Sequence, residues 1–149
     1  AFHNVTICIG DNDCQQIDHI VIGENGIYNI ETKAFKGTIR IDQHGNWTRD
    51  IKNEGKWIGM RNPLAQTQRH RRVLREIVGD ELPIYDMIVM GDETTYIEGI
   101  EHSPIPILTL GNIQYYIEES TKGEILIGPK ERDEIYNKIL NSIVENKKY

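Results

Sequence analysis

The sequence lacks the marks of several common protein classes. No apolar run approaches the roughly 18 residues that a membrane-spanning helix needs, so no membrane role is expected. Cysteine is scarce: the chain has 2, Cys8 and Cys14, and neither stands in a CxxC motif or a Cys/His cluster. They are read as reduced and structural, with a disulfide between them as the alternative. The opening AFHNVTICIG has no signal-peptide pattern. Together these points lead to the expectation of a cytoplasmic protein. No glycine-rich nucleotide loop is present, because GENG at residues 23–26 reads only as a turn. No Ser/His/Asp or Cys/His arrangement follows from the spacing, and there is no internal repeat or low-complexity linker.

What is present suits one globular domain. A chain of 149 residues buries about 68–70% of its unfolded surface, enough for one core. Hydrophobic residues make up 38% and charged residues 27%, which excludes a disordered chain. The net charge of −6 argues against a nucleic-acid partner until its distribution is read. Residues 1–75 carry 11 Lys and Arg against 8 Asp and Glu, giving +3, whereas residues 76–149 carry 6 against 15, giving −9. Arg61, Arg69, Arg71, Arg72 and Arg75 concentrate the positive excess. RHRRVLR is either the solvated side of a helix or a local basic face able to meet phosphate. The acidic second half is a poor DNA surface and could instead face a protein partner.

Strands are expected at residues 3–9, 16–22, 26–33, 37–42 and 46–50 from their β-branched and aromatic content. NPLAQTQRHRRVLREIVG reads as the first clear helix: Asn62 as N-cap, Pro63 at the first helical position, Gly79 at the end. IYDMIVMG is nearly continuously apolar, as an internal strand would be. Further strands are expected near TYIEGI and IPILTL, and a short helix at LGNIQYYIEES. A terminal amphipathic helix is expected over residues 129–148, with Ile135, Ile139, Leu140, Ile143 and Val144 on one face. Strands first, then a helix, then mixed elements imply a three-layer α/β domain around a mixed sheet.

The chemistry gathers in QIDHIVIGENGIYNIETK. Read as a hairpin in which Ile22 pairs with Ile27, the partner numbers sum to 49, which sets Asp18 opposite Glu31. Directly opposed side chains have Cβ atoms about 4.5–5.5 Å apart. Lys33 shares the face of Glu31. Two facing carboxylates repel unless exposed, protonated or bridged by a cation. A hard divalent ion accepts one or two carboxylates, waters and phosphate oxygens. Asp18, Glu31 and the Thr32 carbonyl would supply such oxygens, and Lys33 would orient a water or offset phosphate charge. The plainer alternative is a set of solvated strand ends. On the helix, Gln66, His70, Val73 and Ile77 line one face. Either Gln66 and His70 point toward a polar site, or they mark the wet margin of the core. His19 faces away from Asp18, and His3, His44 and His102 show no metal spacing.

QIDHIVIGENGIYNIETKAFKGTI followed by NPLAQTQRH resembles the nuclease-related domain, or NERD, of the PD-(D/E)XK superfamily. The resemblance runs from about His3 to Gly79. It implies a restriction-endonuclease-like core with a central mixed β-sheet flanked by helices. It also implies Mg²⁺-dependent hydrolysis of DNA phosphodiesters, with Mn²⁺ as a substitute ion. Asp18 matches the family's metal-binding Asp, Glu31 and Lys33 its E-x-K, and Gln66 the Gln of its following helix. Lys36, Arg69 and Arg72 are the residues expected against DNA, with little base specificity, since phosphate contacts do not read sequence. The family usually carries, ahead of its first strand, a helix with an acidic residue. This sequence opens at Ala1 almost on that strand, so a single domain within a longer protein is expected, with other domains as further partners. The competing reading is a non-catalytic nucleic-acid-binding or protein-interaction module on the same fold.

Overall fold

The computed structural model describes residues 1–10, 13–92, 94–120, 123 and 125–144. Five strands make the main sheet: β1 (Phe2–Ile9), β2 (Asp13–Gly23), β3 (Gly26–Lys33), β7 (Ile84–Met90) and β9 (Ile107–Thr109), in the order β1-β2-β3-β7-β9. The first three run antiparallel, whereas β3, β7 and β9 are mutually parallel, so the sheet is mixed as the sequence implies. A second sheet, which the sequence reading did not separate, has the order β6-β5-β4-β8. Its strands are β4 (Thr38–Ile41), β5 (Trp47–Asp50), β6 (Ile58–Gly59) and β8 (Tyr96–Glu98). The helices are α1 (Pro63–Val78), α2 (Leu110–Ser120) and α3 (Pro129–Ser142), with a 3₁₀ turn at Ile100–His102.

β3 is the spine. Its first six residues are all buried, as expected of a strand covered on both faces. Alternation sends Ile27, Asn29, Glu31 and Lys33 to one side and Tyr28, Ile30 and Thr32 to the other. Ile27 joins Val73 and Leu74 of α1 and Ile135 and Ile139 of α3 in one core. Tyr28, Ile30, Met87 and Val89 pack with Ile113, Tyr116 and Ile117 of α2 in another. Helices therefore cover both faces of the sheet. A third cluster, Ile39, Ile41 and Trp47 with Ile88, Met90 and Ile107, seats the second sheet over the end of β7 on the α1 side.

Local sequence explains the boundaries. The β2–β3 loop closes with Gly23 opposite Gly26, which fixes the register with Ile22 on Ile27. Gly26 has φ 155°, and a Cβ there would lie 2.7 Å from the Pro83 carbonyl oxygen. Only glycine fits. Asn25 holds the same corner by accepting from the Tyr28 hydroxyl at 2.9 Å and donating to the Ser120 carbonyl at 2.7 Å. On α1 the Asn62 side chain accepts from Leu64 N–H at 2.9 Å, and Gly79, at φ 86°, donates to the Arg75 carbonyl.

Two expectations are corrected. The terminal helix ends at Ser142, and Ile143 is extended. Ile143 bridges to Ile7 of β1, and Val144 N–H donates to the Thr6 carbonyl at 2.9 Å. The chain leaves the helix where Ile143 pairs with β1 and packs against the core that α1 and α3 share. Leu140 is exposed rather than sharing the face of Ile135 and Ile139. Residues 145–148 of the expected helix lie outside the described residues. Second, Cys8 and Cys14 are joined as a disulfide. They are direct cross-strand partners in the β1–β2 ladder, which brings the two side chains together. The reduced-cysteine argument for a cytoplasmic setting therefore no longer stands. Among the described residues no helix is long and apolar enough to cross a membrane.

The disulfide closes a short loop, so its expected contribution is modest, about 2 kcal/mol on the chain-entropy account. Thiol titration of the denatured, unreduced protein should find no free thiol. Urea unfolding after reduction should show a loss of that size. Two reactive thiols before reduction would remove the cross-link.

Candidate nuclease site

The face of β3 that meets α1 begins apolar at Ile27 and then turns polar for three inward positions, Asn29, Glu31 and Lys33. Asn29 donates to the Thr67 carbonyl at 3.1 Å and to Asp86 Oδ1 at 2.9 Å. Asp86 in turn accepts from Arg71 at 3.0 Å. One turn of helix further toward the N-terminus of α1, Lys33 Nζ lies 3.3 Å from Glu31 Oε1 and donates to Gln66 Oε1 at 2.8 Å. His70 Nδ1 stands 3.3 Å from Glu31 Oε2. That last contact is close but poorly aligned, and neither atom has a hydrogen-bond partner among the described residues.

Glu31 is only 2% exposed. Burial alone pushes its carboxyl up; His70 and then Lys33 beside it more than reverse this, so it titrates below its ordinary range. The carboxylate is therefore held ionised inside the protein.

Asp18 sits where the β2–β3 ladder ends. The ladder runs from Gly23 on Gly26 to His19 on Ile30, keeping the sum of 49, and its next step would set Asp18 against Glu31. There the Asp18 side chain takes over from the backbone, and Oδ2 accepts the Thr32 N–H at 2.9 Å. The Lys33 carbonyl is engaged by Gly91 N–H at 2.8 Å. In a regular strand successive carbonyls alternate, so that of Thr32 points toward β2, on the side where Asp18 lies. Among the described residues no three His, Cys, Asp or Glu side chains group as metal ligands. The oxygens on offer are two carboxylates and one carbonyl, a sparse set that Mg²⁺ accepts with waters. The orphaned, buried Glu31 Oε2 fits such an ion.

Next to this group opens a cleft of about 350 Å³, lined by Lys33, Gln66, Pro63, Arg49, Met60 and Arg61. Lys36, Arg69 and Arg72 do not line it. All three are exposed. Arg72 pairs with Asp13 on β2, and Lys36 helps Thr94 hold the Asp92 carboxyl below its usual range. A larger cavity, about 490 Å³, is an apolar groove against α2 on the opposite face of the sheet, with Ile30 and Thr32 in its wall. His3 and His19 meet at its edge, Nδ1 to Nδ1 at 2.7 Å.

The sequence reading missed two things. His70 stands on the same stripe as Gln66, and the helical spacing that singles out Gln66 also carries His70 to Glu31. Arg49 carries no sequence signal, since its strand reaches the cleft only by folding back.

The sign of the Glu31 shift predicts a pH effect. A carboxyl lowered in the folded state contributes stability above its ordinary value of 4.5 that is lost as pH falls through the folded value. Urea unfolding of the wild type and Glu31→Gln should therefore converge as pH drops below 4.5. A stability difference that stays constant across that window would contradict it.

The nuclease-related domain family matches residues 1–91, which include Asp18, Glu31, Lys33 and Gln66. An uncharacterised protein of Bacillus anthracis is 29% identical over 99% of this chain and 68% of its own length. No solved structure matches. With the family match over more than half its length, this chain belongs to the nuclease-related domain (NERD) family of the PD-(D/E)XK superfamily.

Proposed function

We propose that this domain is a metal-dependent nuclease that hydrolyses DNA phosphodiester bonds with little sequence specificity. The observation that carries the reading is the buried Glu31–Lys33 contact with Gln66 on Lys33 and the Asp18 carboxylate one peptide away. Asp18, Glu31 and the Thr32 carbonyl would hold Mg²⁺, or Mn²⁺ in its place. When bound, the ion supplies Lewis-acid polarisation of a phosphate oxygen and a more acidic water.

The protein's own groups do the positioning. Asp18 is fixed by the Thr32 N–H, which leaves its second oxygen free of that bond. Glu31 is kept ionised by His70 and Lys33, so its carboxylate is ready without a proton to shed. Lys33 is aimed by two acceptors and presents remaining N–H groups to the cleft. There it orients the attacking water and offsets charge growing on phosphorus's oxygens. Water adds to phosphorus and the P–O ester bond breaks, leaving a phosphomonoester and an alcohol.

A non-catalytic module on the same fold would use the same ion pair only for stability, and its acidic second half for a protein partner. Plasmid cleavage with Mg²⁺ separates the two. Glu31→Gln and Lys33→Ala should each cut at least about 100-fold more slowly while keeping a wild-type circular dichroism spectrum. Calorimetry should show metal uptake that Asp18→Ala abolishes. Cleavage unchanged in both variants would reject the assignment.

A further inference from the structure

We propose that Arg49 and Arg61 form a second phosphate subsite, which grips the nucleic-acid backbone beside the phosphodiester held at Lys33. The inference rests on the nuclease reading for the identity of the strand, but its geometry stands apart from Glu31 and Asp18.

The cleft between α1 and the second sheet is lined by three cations, Lys33, Arg49 and Arg61, and by no carboxylate. Lys33 is partly neutralised by Glu31; the arginines are not neutralised. Among the described residues neither has an ion-pair partner or a side-chain hydrogen bond. Four of the other six arginines are engaged: Arg40 with Glu98, Arg71 with Asp86, Arg72 with Asp13, and Arg75 with the Gly79 and Leu82 carbonyls; Arg69 and Arg132 are exposed and line no part of this cleft.

Arg49 is the more telling of the two. Its Nε is buried and has no acceptor among the described residues. A buried donor left unpaired costs about 1–3 kcal/mol, so such groups call for a partner. Its strand is paired on both sides, with Arg49 opposite Ile39 of β4 and Ile58 of β6. A guanidinium held this way presents a planar fork that matches two phosphate oxygens.

The helix reinforces the field. Pro63, the first residue of α1, lines the same cleft, and the first turn of α1 carries no acidic residue. Beyond the Asn62 cap on Leu64 N–H, no acidic side chain of that turn offsets the positive end of the helix dipole. Cations, a starved donor and a helix N-terminus all favour an anion. The anion that fits a site next to Lys33 is a neighbouring backbone phosphate. Such a contact reads no bases.

The test is fluorescence anisotropy of a labelled DNA duplex in EDTA, titrated with salt. Arg49→Ala and Arg61→Glu should each weaken binding about tenfold near 0.1 M salt and lower the log–log salt slope by about 0.9 per lost phosphate contact. Arg49→Lys should recover part of the slope. Lys138→Glu, exposed on α3, should leave both quantities unchanged. Arg61 is exposed, so its variant keeps the test valid if Arg49→Ala fails to fold. Wild-type affinity and slope in Arg61→Glu and in a folded Arg49 variant would overturn the subsite. A wild type that binds through these arginines yet never cuts with Mg²⁺ would defeat the nuclease reading and leave the subsite standing. A wild type that cuts, with slopes unmoved by the variants, would do the reverse.

Discussion

A buried carboxylate governs this structure. Glu31 lies on the central strand, covered by α1, and removing an ion from water is costly unless it is paired. Lys33 and His70 meet that demand from two directions, one along β3 and one from the helix. The demand sets the placement of α1: the helix must present His70 to Glu31 and Gln66 to Lys33 at once, and these residues are one turn apart. The apolar stripe of Val73 and Leu74 then continues from the polar pair into the core. Core packing and the polar contacts to Glu31 and Lys33 share one helix face.

The second sheet turns this polar row into a cleft. It folds back over the end of β7 through Ile39, Ile41 and Trp47. The fold-back depends on a close backbone approach at Gly37, which has φ 87° and where a Cβ would fall 2.2 Å from the Asp50 carbonyl oxygen. Asp50 is itself buried, and its carboxylate accepts from the N–H groups of Glu54 and Gly55. That cap holds the turn leading to β6, and so to Arg61. A glycine and a buried aspartate thus set where the far wall of the cleft stands.

The basic helix run shows how little a charge count says about purpose. Arg71, Arg72 and Arg75 read as one cationic stretch in RHRRVLR, yet each is tied to a different part of the same molecule. They clamp α1 to β7, to β2 and to the loop after the helix. Arg49 and Arg61 stand apart in sequence and line the same cleft.

Local rules were enough for much of this protein. The GENG turn and the two-residue alternation of β2 and β3 set the register that brings Asp18 to the end of the ladder by Glu31. The 3.6-residue period of α1 put Gln66 and His70 on the core side, and Asn62, Pro63 and Gly79 marked its ends. These features depend on neighbours a few residues away, so the order of residues suffices. Other features depend on contacts between distant segments. Whether Cys8 and Cys14 bond was settled by strand pairing, and where α3 stops was settled by Ile143 finding β1. The ionised state of Glu31 needed His70, 39 residues further on, to arrive at the same point. The far wall of the cleft needed a whole second sheet to fold over β7. Burial and charge compensation are properties of the assembled space, and only tertiary packing decides them.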